Sequence, residues 1–289
     1  AVCIKGPKWC GKTETAKMHS NSKIILANQT SKALASTDPN LLIEGAIPRL
    51  IDEWQEMPSV WDLVRCEVDE RKKPGQFILT GSSTPRLERP IHTGAGRIAN
   101  IHMRTMSLWE SGDSSGLISL EDLCNNKFTS TRETGSVGLI NLIKYVIRGG
   151  WPALIGFDEK SAQAALSSYI EQSINGLDYY TTKQFDKNKI TLLLRSIARN
   201  IGTTATISTL TRDITSYDGE SIDRETTSRF LSILNDSYLI HNQNPFTPSV
   251  RSSIRIKQSD KLHFCDPSIA CTLLKLNSEK LCNYLNTFG

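Results

Sequence analysis

Residues Gly6 to Thr13 read GPKWCGKT and complete the pattern G-x-x-x-x-G-K-[ST]. They follow the apolar run Val2 to Lys5 and open a helix-forming stretch, which is the strand, loop and helix setting that the pattern needs. Glycines at both ends let the backbone turn tightly enough for successive N–H groups to converge, and the start of the helix adds partial positive charge. Such a loop cradles phosphate oxygens, and it predicts an α/β fold: a parallel sheet between two helical layers, the P-loop three-layer sandwich. The cradle spans Gly6, Pro7, Lys8, Trp9, Cys10, Gly11, Lys12, Thr13 and Glu14. Lys12 is expected to reach the β and γ phosphates of a nucleoside triphosphate, and Thr13 to place its hydroxyl on Mg2+.

Forty residues on, RLIDEWQ sets Asp52 and Glu53 at the end of a second apolar run. A strand beside the loop would deliver both acids to the phosphates, Asp52 to hold Mg2+ through water and Glu53 to take a proton from the attacking water. The run QFILTGSS repeats the arrangement at a third strand end, where Thr80 or Ser82 would orient water or touch the γ phosphate. Arg97, in HTGAGRI, follows a glycine-bearing loop and is the first choice for an arginine that neutralises transition-state charge, with Arg86 and Arg89 as competitors.

The first half alternates short apolar runs with helical stretches, the rhythm of a parallel sheet covered by helices. Strands are predicted at Val2 to Lys5, Lys23 to Ala27, Arg49 to Asp52, Gln76 to Thr80 and Ile98 to Met103, and helices at Lys12 to Ser20 and Val60 to Arg71. From about Ser107 the pattern changes to helices separated by polar linkers, with Gly149, Gly150 and Pro152 marking a turn. Helices are predicted at Ser161 to Ile174, Ile190 to Ile201, Ile207 to Ile214 and Asp223 to Asn235, then strands at Tyr238 to Asn242 and Lys261 to Cys265. That order, helices then a two-stranded hairpin, is that of a winged helix-turn-helix over about residues 190–266. The expected division is a nucleotide domain at 1–113 and a mostly helical region at 114–289.

The 38% hydrophobic and 22% charged residues fit neither a membrane bundle nor a disordered polymer. No apolar run reaches the roughly 18 to 20 residues of a membrane helix, so no membrane partner is expected, and no signal peptide is read at the start. Seven scattered cysteines without a C-x-x-C pair suit reduced thiols in a cytoplasm, and no structural metal is expected. The chain opens on Ala1 directly in a strand-like run, so a piece upstream is expected. A net charge of +4 neither demands nor excludes DNA.

The strings GPKWCGKT, PRLIDEWQ, GQFILTGSS, HTGAGRI and MSLWESG, in this order, resemble the prokaryotic AAA-type ATPases that carry a C-terminal winged-helix and nuclease-like domain of unknown function. LHFCDPSIACTLL is similar to that family's downstream strand-and-helix element. The resemblance implies ATP rather than GTP, and implies the roles already given for Lys12, Thr13, Asp52 and Glu53. It also implies nucleotide-dependent homo-oligomerisation. Family members continue into a region like restriction-endonuclease folds, whereas this sequence stops at Gly289 without an acidic and lysine core of that kind, so no nuclease activity is expected.

Three functional classes follow: a working ATPase, a slow nucleotide-gated switch signalling through the winged helix, and a DNA-binding regulator with little ATP turnover. DNA would meet the Asp223 to Asn235 helix, with Arg224 and Arg229 near phosphates and Arg251, Arg255 and Lys257 in the wing. Asp223, Glu225 and Asp236 would repel phosphate, which favours packing or a protein partner for this module. A thiol switch at Cys10 is weighed against simple packing of Trp9 and Cys10 on the loop, and packing is preferred.

Overall fold

The computed structural model describes residues 1–82, 93–127, 137–177, 186–218, 222–246 and 259–283. Arg86, Arg89, Arg251, Arg255 and Lys257 lie outside the described residues.

Two compact units divide the chain, one of residues 1–104 with 176–184 and 229–240, the other of residues 105–175, 185–228 and 241–289. The segment read as a winged helix is thus shared between them. In the first unit, β1 (Val2–Lys5), β2 (Ser22–Ile25), β3 (Arg49–Asp52), β4 (Phe77–Gly81) and β5 (Ala99–His102) form a parallel sheet in the order β2-β3-β4-β1-β5. The strand that feeds the glycine loop therefore lies inside the sheet, between β4 and β5. Strands buried on both faces read as apolar runs, as the inner β1, β3 and β4 largely do, whereas the edge strands β2 and β5 are part-buried and exposed.

Alternation along the strands sorts side chains to two faces. On one, Cys3, Ile51, Phe77 and Leu79 pack with α2 (Gln29–Thr37), α3 (Asn40–Ile43) and α4 (Ser59–Arg71) through Ala35, Leu42, Val60 and Val64. On the other, Ile4 and Leu50 pack with Ala16 of α1 (Lys12–Met18), flanked by Val2, Ile78 and Met103. This is the α/β arrangement of a P-loop protein, helices on both faces of a parallel sheet. α2 opens on Asn28, whose Oδ1 accepts from Thr30 N at 2.9 Å and Ser31 N at 3.2 Å. Arg49 closes the end of α3 from the neighbouring strand, its guanidinium donating to Leu41 O at 2.5 Å and Leu42 O at 2.9 Å.

The second unit is mostly helical: α5 (Leu120–Cys124), α6 (Leu139–Arg148), α7 (Glu159–Gly176), α8 (Lys187–Arg199), α9 (Ile207–Asp218), and later α11 (Pro267–Leu273) and α12 (Ser278–Asn283). α10 (Arg224–Asp236) and a two-stranded sheet of β6 (Ile240–Gln243) and β7 (Lys261–Phe264) complete the elements. A buried carboxylate ties its two ends together. Asp266 caps α11 by accepting from Ser268 N at 2.9 Å and also accepts from Gly150 N at 2.9 Å, while Trp151 Nε1 donates to Ser268 Oγ at 3.0 Å. Gly149 must be glycine here: its φ is +75°, and a Cβ would lie 2.3 Å from Asp266 Oδ1. Among the described residues no helix is long and apolar enough to cross a membrane.

Candidate functional site

The loop from Gly6 to Thr13 leaves the carboxyl end of β1 and enters α1 through Gly11 at φ 99°, a left-handed turn that favours glycine. Trp9 also sits at positive φ, 72°. Gly6 is required for a different reason, since a Cβ there would stand 2.2 Å from the Met103 carbonyl oxygen that follows β5. Cys10 is fully buried beneath the loop, its Sγ 4.0 Å from that same carbonyl. Burial raises its thiol pKa, outweighing the pull of Lys12. A buried, neutral thiol is a packing group, not a reactive one.

Lys12 is 5% exposed, and its ammonium donates to Pro7 O at 2.6 Å. Burial lowers its pKa; Cys10, Glu53 and Asp52 act in the opposite direction. The loop thus holds a desolvated cation beside its own backbone, where a phosphate oxygen would find it with little water to displace. Lys8 and Glu14 point outward and are exposed, Glu14 pairing with Lys17 at 2.6 Å. Pro7 is buried and Thr13 half-buried.

The acids arrive by register. β3 and β4 pair so that Asp52 lies opposite Thr80, and alternation directs both to the α1 face. Thr13 Oγ1 donates to Asp52 Oδ1 at 2.9 Å, and Thr80 Oγ1 donates to the same oxygen. The Thr80 hydroxyl in turn accepts from Glu53 N at 3.4 Å. Thr80 is fully buried and Asp52 nearly so, so this hydroxyl holds both acids in place.

Glu53 leaves the strand at φ 55° and caps a 3-10 turn, Trp54–Glu56. Its carboxylate accepts from Ser82 Oγ at 3.0 Å and from Gln55 Nε2; Gln55 Nε2 also donates to Ser82 Oγ at 3.3 Å. Gln55 stood in the quoted run RLIDEWQ without a role, and its spacing of two from Glu53 was the signal. Gly81 makes room for this turn: a Cβ there would lie 2.9 Å from Trp54 Nε1 and 3.0 Å from Gln55 Oε1.

Lys12, Thr13, Asp52, Glu53, Thr80 and Ser82 are thereby gathered at the carboxyl ends of β1, β3 and β4. Arg97 is not gathered with them. Its guanidinium donates to Asp69 Oδ1 at 2.9 Å and to Ala95 O at 3.1 Å, and Asp69 belongs to α4, in the layer opposite α1.

Residues 1–111 match the family described as AAA domain. The N-terminal part of the chain is thus similar to an AAA domain. The AAA domain is followed at residues 140–280 by a match to a domain of unknown function (DUF8612). Among curated relatives, the uncharacterized proteins Rv2008c of Mycobacterium tuberculosis and Mb2031c of Mycobacterium bovis are each 27% identical over 118 residues, 39% of this chain. The chain matches only 27% of the length of each of these relatives. Among solved structures, the Aeropyrum pernix Orc1 protein in complex with DNA aligns over 95% of this chain and 86% of its own, at 13% identity and a TM-score of 0.29, a loose likeness.

Proposed function

We propose that the chain hydrolyses ATP with Mg2+ in its AAA domain and passes the nucleotide state to the C-terminal helices. The observation that carries this reading is the meeting of Lys12, Thr13, Asp52, Thr80 and Glu53 at neighbouring strand ends. Loop N–H groups and the Lys12 ammonium would hold the triphosphate and stabilise charge as it builds on the leaving oxygens. The donor set of Thr13 and Asp52 consists of two oxygens 2.9 Å apart, the oxygen-only chemistry that Mg2+ prefers. These two residues would hold the ion, Asp52 through water, and the ion would supply positive charge at the triphosphate. Thr80 keeps Asp52 aligned, and Glu53 takes the proton of the attacking water with its carboxylate oriented by Ser82 and Gln55. Arg97, engaged by Asp69 on the far layer, fits a finger presented to the site of a neighbouring copy, which makes a homo-oligomer part of the proposal.

One observation favours a second reading, a slow nucleotide-gated switch. Gln55 and Ser82 both donate to Glu53 Oε2, which takes up one of the two carboxylate oxygens that could accept the proton of a water. In either reading α8 to α10 with β6 and β7 serve as a winged-helix module that contacts a protein or DNA.

Single-turnover ATP hydrolysis by the parent chain, Glu53→Gln and Gln55→Ala separates these. The ATPase reading expects Mg2+-dependent turnover that Glu53→Gln slows by about 100-fold or more while ATP binding persists. The switch reading expects slow turnover that Gln55→Ala accelerates. ATP bound but unhydrolysed in both the parent and Gln55→Ala would overturn the two together.

A further inference from the structure

Away from the nucleotide loop, α8, α9 and the end of α11 enclose a cavity of about 280 Å3. Its floor is apolar, made by Leu192 and Ile214, both buried, with Leu273 and Leu274. Its wall is cationic. Arg195 and Arg199 stand one turn apart on α8, and Lys275 lines the cavity with them. Among the described residues none of these three side chains forms an ion pair or a hydrogen bond. Like charges one turn apart on a helix repel each other, so an anion between them removes a cost as well as gaining an attraction.

The one carboxylate in the lining, Asp213, accepts from Ser196 Oγ at 3.1 Å and Asn200 Nδ2 at 2.8 Å; it keeps its charge and is outnumbered by the cations of Arg195, Arg199 and Lys275. Two carbonyls of the last turn of α11, which would oppose an anion, are bonded within the chain. Lys275 N donates to Thr272 O at 3.1 Å and Leu276 N to Cys271 O at 2.9 Å, the paired bonds of a helix closed by a left-handed residue, here Lys275 at φ 53°. That closure fixes where the Lys275 backbone stands at the rim. An apolar floor with a few convergent polar groups is the form of a small-molecule site, and this volume lies at the small end of such sites.

We propose that this cavity binds a small organic anion, a carboxylate or phosphate monoester carried on one compact apolar group such as a single aromatic ring. The apolar body would cover the leucines and Ile214, and the anion would bridge Arg195, Arg199 and Lys275, with the arginine forks suited to a planar or tetrahedral oxyanion.

The test is calorimetric titration of phenyl phosphate into the full chain, into Lys12→Ala, and into the double variant Arg195→Gln, Arg199→Gln. Inorganic phosphate and phenol serve as the separate halves of the probe. Both arginines are exposed, so the double variant is expected to keep the parent melting temperature. The proposal expects saturable one-to-one binding that survives Lys12→Ala, weakens about tenfold or more in the double variant, and is at least about tenfold weaker for either half of the probe. Absence of saturable binding would overturn it. So would binding that survives loss of both arginines, or binding lost in Lys12→Ala, which would move the probe to the nucleotide loop.

Discussion

Removing the Thr80 hydroxyl without changing the shape of the side chain isolates what that one oxygen does. Thr80 is fully buried, donates to Asp52 Oδ1 and accepts from Glu53 N at 3.4 Å. Thr80→Val keeps the volume, so no cavity term enters. It deletes a hydrogen bond to a charged acceptor, worth about 1.5–3 kcal/mol, and leaves a long, weak one unmade. Asp52 retains its bond from Thr13 at 2.9 Å, which places the expected loss near 2 kcal/mol. Thr80→Ser does the reverse, keeping the hydroxyl and losing one methyl group, for about 1 kcal/mol. At roughly 2–4 °C per kcal/mol for chains of 150–250 residues, Val should melt about 4–8 °C below the parent and Ser about 2–4 °C below. Differential scanning calorimetry without nucleotide reads both. If Thr80→Val melts at or above Thr80→Ser, packing rather than the hydroxyl dominates, and the argument that Thr80 holds the two acids fails.

Gly6→Ala would drive a Cβ to 2.2 Å from the Met103 carbonyl, a backbone group that cannot swing aside, and should destabilise by about 1–3 kcal/mol and weaken ATP binding. Gly138→Ala, which meets nothing within 4 Å, is the control in the same melting and binding assays. Burial holds the Lys12 ammonium below its ordinary 10.5, and triphosphate charge would raise it again. ATP binding should therefore take up a proton at alkaline pH, with affinity flat below the free protein's Lys12 value and falling as pH rises through it; Lys12→Arg should abolish the fall, and affinity rising with pH would contradict the assignment. Iodoacetamide at neutral pH should modify exposed Cys66, Cys124 and Cys282 and spare buried Cys3, Cys10 and Cys271, whose thiols burial pushes up, Cys3 and Cys271 to about 11. ATP binding should survive that treatment, and mass spectrometry together with a binding titration checks both.

The inner strands were legible because β1, β3 and β4 are short apolar runs that each end in a chemical marker: the glycine loop after β1, Asp52 and Glu53 after β3, and the TGS turn after β4. What local pattern could not supply was anything decided by a distant partner. α2 and α3 escaped because QTSKALAST and NLLI carry no sustained apolar period; Asn28 caps the first, and Arg49, from a strand, closes the second. α6, LINLIKYVIR, escaped as well, although Asn141, Lys144 and Arg148 recur at helical spacing and give it one polar face. Thr80 and Ser82 were weighed for one sensor role, yet the structure divides the work, giving Thr80 to Asp52 and Ser82 to Glu53. Which strand lies beside which is a property of the sheet, and Asp52 meets Thr80 only because β3 and β4 are neighbours in register.

The measurement that bears most directly on the central claim is equilibrium ATP binding by the purified chain, with and without Mg2+, beside Lys12→Ala. The account predicts saturable, Mg2+-strengthened binding by the parent and its loss in Lys12→Ala, whose melting temperature should remain at or above the parent's because a buried charge has been removed. A folded parent that binds no ATP, or a Lys12→Ala variant that binds it equally well, would contradict the account.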